Sequence, residues 1–126
     1  MPLKVTIANR DEGDILRRLG QLYLHEMCRY THQELQNDGL FEFQRLDDAL
    51  ADESKFPYIV RLRERVAGFA LVRMRETADD KSYYEICDLF VIETYRRFGV
   101  GEEIVRMLFE RHPGLWRIII RTNQES

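Results

Sequence analysis

Apolar residues along this chain change their spacing from segment to segment, and each spacing predicts an element. Residues 4–8 (Lys-Val-Thr-Ile-Ala) read as a first strand. Ile15, Leu16, Leu19, Leu22 and Tyr23 then recur at helical spacing, which predicts a helix running to about residue 29 or 30. Asp11, Glu12, Gly13 and Asp14 offer its N-cap. Residues 31–43 are polar and contain the turn signal Asn37-Asp38-Gly39. Leu46 and Leu50, set among acidic residues, suggest a short second helix. Three apolar runs follow, at residues 57–62, 66–74 and 83–92, with short connections that predict antiparallel pairing. Val100, Ile104, Val105, Leu108 and Phe109 mark one face of a third helix, stopped at His112-Pro113-Gly114. A last strand covers residues 116–121. The predicted order is β-α-α-β-β-β-α-β, an α/β fold with a mixed sheet. Its final β-α-β unit is expected as a right-handed parallel crossover.

The bulk numbers narrow the class. At 126 residues the chain suits one domain spanning 1–126. Its net charge of −3, without a basic stripe interleaved with aromatics, gives no argument for nucleic acid. No apolar run approaches the ~20 residues that cross a bilayer, and the start lacks the apolar core of a signal peptide. No membrane association and a cytoplasmic location are therefore expected. Cys28 and Cys87 lie far apart and should stay reduced. Cys87 reads as a small buried hydrophobe rather than a nucleophile. His25, Glu26 and His32 lack the His-Glu-x-x-His spacing, so no metal site is expected.

The chemistry concentrates between the long strand and the third helix, in Arg96-Arg97-Phe98-Gly99-Val100-Gly101. A glycine-containing turn at a helix N-terminus presents unpaired amides and a positive dipole end to an anion, and phosphate is favoured there. The pattern is not a Walker loop, because no Gly-Lys-Ser/Thr follows. Nor is it the dinucleotide fingerprint Gly-x-Gly-x-x-Gly.

Strand, Arg96-x-x-Gly99-x-Gly101 and helix resemble the acetyl-CoA pyrophosphate loop of the GNAT acetyltransferase superfamily. The likeness extends over nearly the whole predicted order and is closest from Tyr83 to Asn123. There Glu-Ile-x-Asp-Leu-Phe-Val and Tyr-Arg-Arg-Phe-Gly-Val-Gly look like a bacterial branch of small predicted acetyltransferases. Relatives usually continue past Asn123 with Asn-x-x-Ala, a Phe-Trp that opens a fourth helix, and a terminal strand pair. This sequence stops at Ser126. An open edge on the last strand is therefore expected, with homodimerisation or strand exchange as its consequence. The family's frequent general acid, a Tyr on the fourth helix, finds no counterpart.

The resemblance implies direct acetyl transfer from acetyl-CoA, as co-substrate, to an amine. Arg97, Phe98, Gly99, Val100, Gly101 and Glu102 would hold the pyrophosphate by their amides. Arg96 would add charge or brace the turn, and Asn123 would complete the cofactor-binding set. Leu89, Phe90 and Val91 would pair with the pantetheine arm, and an N–H of that stretch would stabilise the developing oxyanion. Glu85, eleven residues before Arg96, is the first candidate for proton acceptor, by the spacing of the histone-type members. Partial burial would suit it to that task. Asp88 is the second, expected on the opposite face because strand side chains alternate. Each carboxylate also reads as a structural partner. Tyr23, Tyr30, Phe41 and Phe43 read as core, or as the border of an acceptor site. The acceptor remains open among a small amine, an aminoglycoside, and a protein N-terminus or lysine. Acidic residues at 38, 42, 47, 48, 52 and 53 lean towards a cationic one. The competing reading is a degenerate acyl-CoA-binding module or a dimeric interaction domain without turnover.

Overall fold

A computed structural model describes residues 2–118. Asn123 and the predicted last-strand positions beyond Ile118 lie outside the described residues. The elements are β1 (Leu3–Ile7), α1 (Gly13–Thr31), α2 (Gln44–Ala51), β2 (Lys55–Leu62), β3 (Arg65–Glu76), β4 (Ser82–Val91), α3 (Val100–Arg111) and β5 (Trp116–Ile118). Every predicted element is present, in the predicted order. Short 3-10 turns precede α1 and follow β4.

Five strands form one sheet in the order β1-β2-β3-β4-β5. The first three pairings are antiparallel, and β4 and β5 run parallel. Neighbours in sequence are thus neighbours in the sheet. The link from β2 to β3 is two residues, Arg63 and Glu64, with φ of 52° and 69°. Positive φ at both central residues is the geometry that matches the twist of a tight hairpin.

The N-cap of α1 is Glu12, one of the four expected residues, but its side chain makes no bond to the first turn of the helix. Asn9 caps the 3-10 turn, accepting from the Asp11 N–H, while Glu12 Oε1 accepts from the Asn9 N–H. This reciprocal arrangement satisfies early amides before α1 begins, and α1 itself has no side-chain cap.

Alternation along β3 separates two cores. Phe69 and Leu71 face α1 and α2, with Leu16, Leu19, Tyr23, Phe43 and Leu46. Ala70 and Val72 face α3, with Ile104 and Leu108. Tyr23, Phe41 and Phe43 belong to the core, whereas Tyr30 is exposed. Gly68 lets β3 lie close against β4: a Cβ there would sit 2.0 Å from the Phe90 carbonyl oxygen. Among the described residues no helix is long and apolar enough to cross a membrane.

Candidate active site

Among the described residues the pairing of β4 with β5 covers Tyr84 and Glu85 and ends at Ile86. Further along, the Ile92 N–H donates to the Ala67 carbonyl at 2.7 Å. Peptide groups of an antiparallel strand alternate in direction, so those of Leu89 and Val91 point away from β3. The Val91 carbonyl accepts from Arg96 Nε at 2.7 Å. The Leu89 peptide groups and the Val91 N–H find no partner among the described residues.

The turn after β4 has left-handed backbone at two positions. Arg97 and Gly99 have φ of 80° and 72°. This left-handed backbone is easy for glycine and costly for other residues. It turns successive amides inward ahead of α3. The amides of residues 97–102 have no acceptor among the described residues, and α3 has no side-chain cap. Arg96 braces the turn. Besides Val91 O, its Nη2 donates to Glu26 of α1 at 2.8 Å, and its guanidinium lies over the Phe90 ring. The Phe98 side chain is exposed.

Between this turn and α1 lies a cleft of about 380 Å³, lined by Leu89, Phe90, Val91, Arg96, Arg97, Gly99, Val100 and Gly101 together with Tyr23, Glu26 and Met27. A second cavity of about 180 Å³ shares Tyr23, Met27 and Leu89 with it and reaches Ile86, Cys87 and Asp88. The open edge of β4 is thus continuous with the amide cradle. Eight of the predicted donor-site residues come together here. Glu102 contributes only its place in the first turn of α3, and neither its side chain nor Phe98 lines the cleft.

The two candidate carboxylates require a correction. Leu71 faces Asp88 while Val72 faces Ile86, so Cys87 is the extra residue of a β-bulge. The bulge breaks the alternation and turns Asp88 to the same face as Glu85, not the opposite one. Asp88, 3% exposed, accepts from the Tyr23 hydroxyl at 2.7 Å and from Arg45 Nε and Nη2 at 2.8 Å each. Glu85 is 1% exposed rather than half-buried. It accepts from Arg73 Nε at 2.6 Å, and Arg117 Nε stands 3.7 Å from its other oxygen. Asp88 lines the cavity at the open edge; Glu85 does not.

Burial pushes the Cys87 thiol up, in keeping with a packed, unreactive cysteine. Asp88 in turn raises Arg45, against the effect of desolvation. Among the described residues no group of three or more His, Cys, Asp or Glu is arranged to hold a metal. The sequence pattern gives Arg45 and Arg73 no role, and it raises Glu26 only as a candidate metal ligand. One signal for Arg73 was available: it shares the alternation phase of Phe69 and Leu71, and an arginine at a core phase calls for a buried carboxylate. Arg45 and Glu26 carried no such mark.

The acetyltransferase (GNAT) family profile matches residues 19–124. The chain belongs to the GNAT acetyltransferase family. No curated protein sequence matches it. Among solved structures, a possible acetyltransferase from Clostridium difficile 630 superposes with a TM-score of 0.73 at 14% identity, covering 98% of this chain and 83% of that one. A ribosomal-protein-alanine N-acetyltransferase from Brucella melitensis biovar Abortus 2308 gives 0.70 at 11% identity, covering 98% and 84%. A predicted acetyltransferase with acetyl-CoA from Clostridium acetobutylicum gives 0.69 at 12%, covering 98% and 85%. These likenesses establish a GNAT fold; the acceptors of those proteins remain their own.

Proposed function

We propose that this GNAT protein is an N-acetyltransferase that takes its acetyl group from acetyl-CoA and passes it to a primary amine. The observation that carries this reading is the run of amides at residues 97–102 that have no acceptor among the described residues, lining one cleft with Leu89, Phe90 and Val91 of β4. A pyrophosphate and an amide-bearing arm demand that pair of features, so the residues fit the group. Acetyl-CoA would supply an activated thioester.

The chain supplies the rest. The amides of residues 97–102 hold the diphosphate. The outward peptide groups of Leu89 and Val91 align the arm, and an N–H on this edge is placed to stabilise negative charge on the carbonyl oxygen. Arg96 keeps Val91, Glu26 and the turn in fixed relation. Asp88 replaces Glu85 as our first candidate for proton acceptor, because it borders the cavity at the open edge. Tyr23 and Arg45 orient its carboxylate. The amine must lose a proton before its lone pair attacks, and the thiol leaving group takes up one.

The reading without turnover draws on a separate observation: both candidate carboxylates are already held by guanidinium groups. Calorimetric titration with acetyl-CoA, beside a thiol-release assay over a panel of primary amines, separates the two. Binding with amine-dependent thiol release supports the enzyme. Binding without release, across the panel, supports the module. No binding by the folded protein overturns both.

A further inference from the structure

On the α2 side of the bulge, Cys87 lines another small cavity, of about 50 Å³. Arg45, Arg73 and Lys55 reach it, with Asp48 as the only carboxylate among its described lining residues. Lys55 and Asp52 pair at 3.3 Å. The two acids that neutralise the arginines, Asp88 and Glu85, lie buried beneath them, whereas the Arg45 and Arg73 side chains retain 41% and 30% of their exposure. Two partly exposed guanidinium groups therefore face this cavity beside the one exposed carboxylate of Asp48.

Donors remain to be used. Arg73 spends only Nε on Glu85, and Arg45 spends Nε and Nη2 on Asp88. Both Nη atoms of Arg73, and Nη1 of Arg45, have no acceptor among the described residues. Each guanidinium carries five donors in a planar fork that suits a carboxylate. Nearby acids are otherwise occupied: Asp47 lies 3.9 Å from Arg17, and Asp48 accepts from Gln44.

We infer that Arg45 and Arg73 form an acceptor subsite for a carboxylate, so that the amine acetylated is that of a small amino acid-like molecule rather than a polycation. This rests on the acetyltransferase reading above. Its position is chemically apt. The subsite and the donor cavity meet at Cys87, so an acceptor anchored by its carboxylate would direct its amine towards Asp88 and the open edge of β4. When Asp88 takes up a proton, the docked carboxylate compensates the charge of Arg45. The acidic residues of the polar segment, which lean towards a cationic acceptor in sequence, do not line this cavity apart from Asp48.

The test is a thiol-release assay with acetyl-CoA, comparing the twenty amino acids with their carboxamides and with the corresponding decarboxylated amines. Acetyl-CoA binding is followed by calorimetry on the same samples. The expected result is a kcat/KM higher by about tenfold or more for at least one amino acid than for its carboxamide, the scale of a charge-assisted hydrogen bond. In Arg73→Gln/Glu85→Gln, which removes the buried ion pair and leaves only the exposed Arg117 without its carboxylate, that preference should fall towards unity through KM, with acetyl-CoA affinity unchanged. Equal kcat/KM for amino acid and carboxamide, or no turnover of any amino acid by protein that binds acetyl-CoA, overturns the subsite. Loss of acetyl-CoA binding in the wild type instead overturns the reading beneath it.

Discussion

The Tyr23 hydroxyl donates to Asp88 Oδ1 at 2.7 Å, joining the middle of α1 to the bulge of β4 across 65 positions of sequence. Arg45 of α2 reaches the same carboxylate. Three elements therefore meet on one buried anion. Removing the hydroxyl in Tyr23→Phe leaves Arg45 in place and should cost about 1 kcal/mol, the net scale of one hydrogen bond. Urea denaturation of the two proteins measures it. If this bond also holds Asp88 for proton acceptance, kcat should fall in the variant while acetyl-CoA affinity stays.

Gly99 and Gly101 should respond oppositely to alanine. Gly99 has a φ of 72°, where a Cβ is strained, and Gly99→Ala should destabilise by about 1 kcal/mol. Gly101 lies in the first turn of α3, and a Cβ there meets nothing within 4 Å. Gly101→Ala should stabilise by about 0.5–1 kcal/mol through helix propensity. A bulky Gly101→Trp should keep the fold and abolish acetyl-CoA binding, since Gly101 lines the cleft. Paired thermal melts and titrations check all three. A Gly101→Trp protein that binds normally would place the cofactor elsewhere.

Gly68→Ala should be among the most damaging small substitutions. The added methyl would meet the Phe90 carbonyl oxygen at 2.0 Å and the Val91 Cα at 3.0 Å, both backbone atoms of the neighbouring strand. Neither can swing aside, so β3 and β4 must part. A loss of about 3 kcal/mol or more is expected, at the upper end of overpacking effects. A midpoint within experimental error of wild type would refute the close approach.

His112 should make stability depend on pH. Its ring packs against Phe56, Tyr84 and Trp116, and its Nε2 shares a 2.5 Å hydrogen bond with the Tyr58 hydroxyl. Burial, and next the neighbouring Arg111, hold its pKa below the ordinary 6.5. The unfolded chain then binds more protons than the folded one between those values. This contribution to stability is complete above pH 6.5, declines as pH falls through that value, and levels off below the folded pKa. Urea midpoints from pH 8 to pH 5 should show a decline that is shallower in His112→Gln.

The extent to which the site could be read in advance varied with how local its parts are. The Arg96-x-x-Gly99-x-Gly101 turn was legible because an unpaired amide run at a helix N-terminus depends on adjacent residues alone. The core faces of α1 and α3 were largely legible because a helical stripe is a local pattern, although Leu22 and Phe109, which belong to the predicted stripes, are exposed. The relation of Glu85 to Asp88 was not. It depends on a bulge, and a bulge is a mismatch between two strands that neither strand records by itself.

Sequence by itself determined the order of the elements, the antiparallel links between the early strands, and the glycine turn before α3, because each follows from the spacing or conformational limits of neighbouring residues. Only the tertiary structure decided which charges meet. It brought Arg73 to Glu85 and Tyr23 and Arg45 to Asp88, because a buried carboxylate persists only where the fold delivers a donor to it. It likewise left the peptide groups of Leu89 and the Val91 N–H without a partner among the described residues, since which edge of a strand stays open is settled by the strands placed on either side.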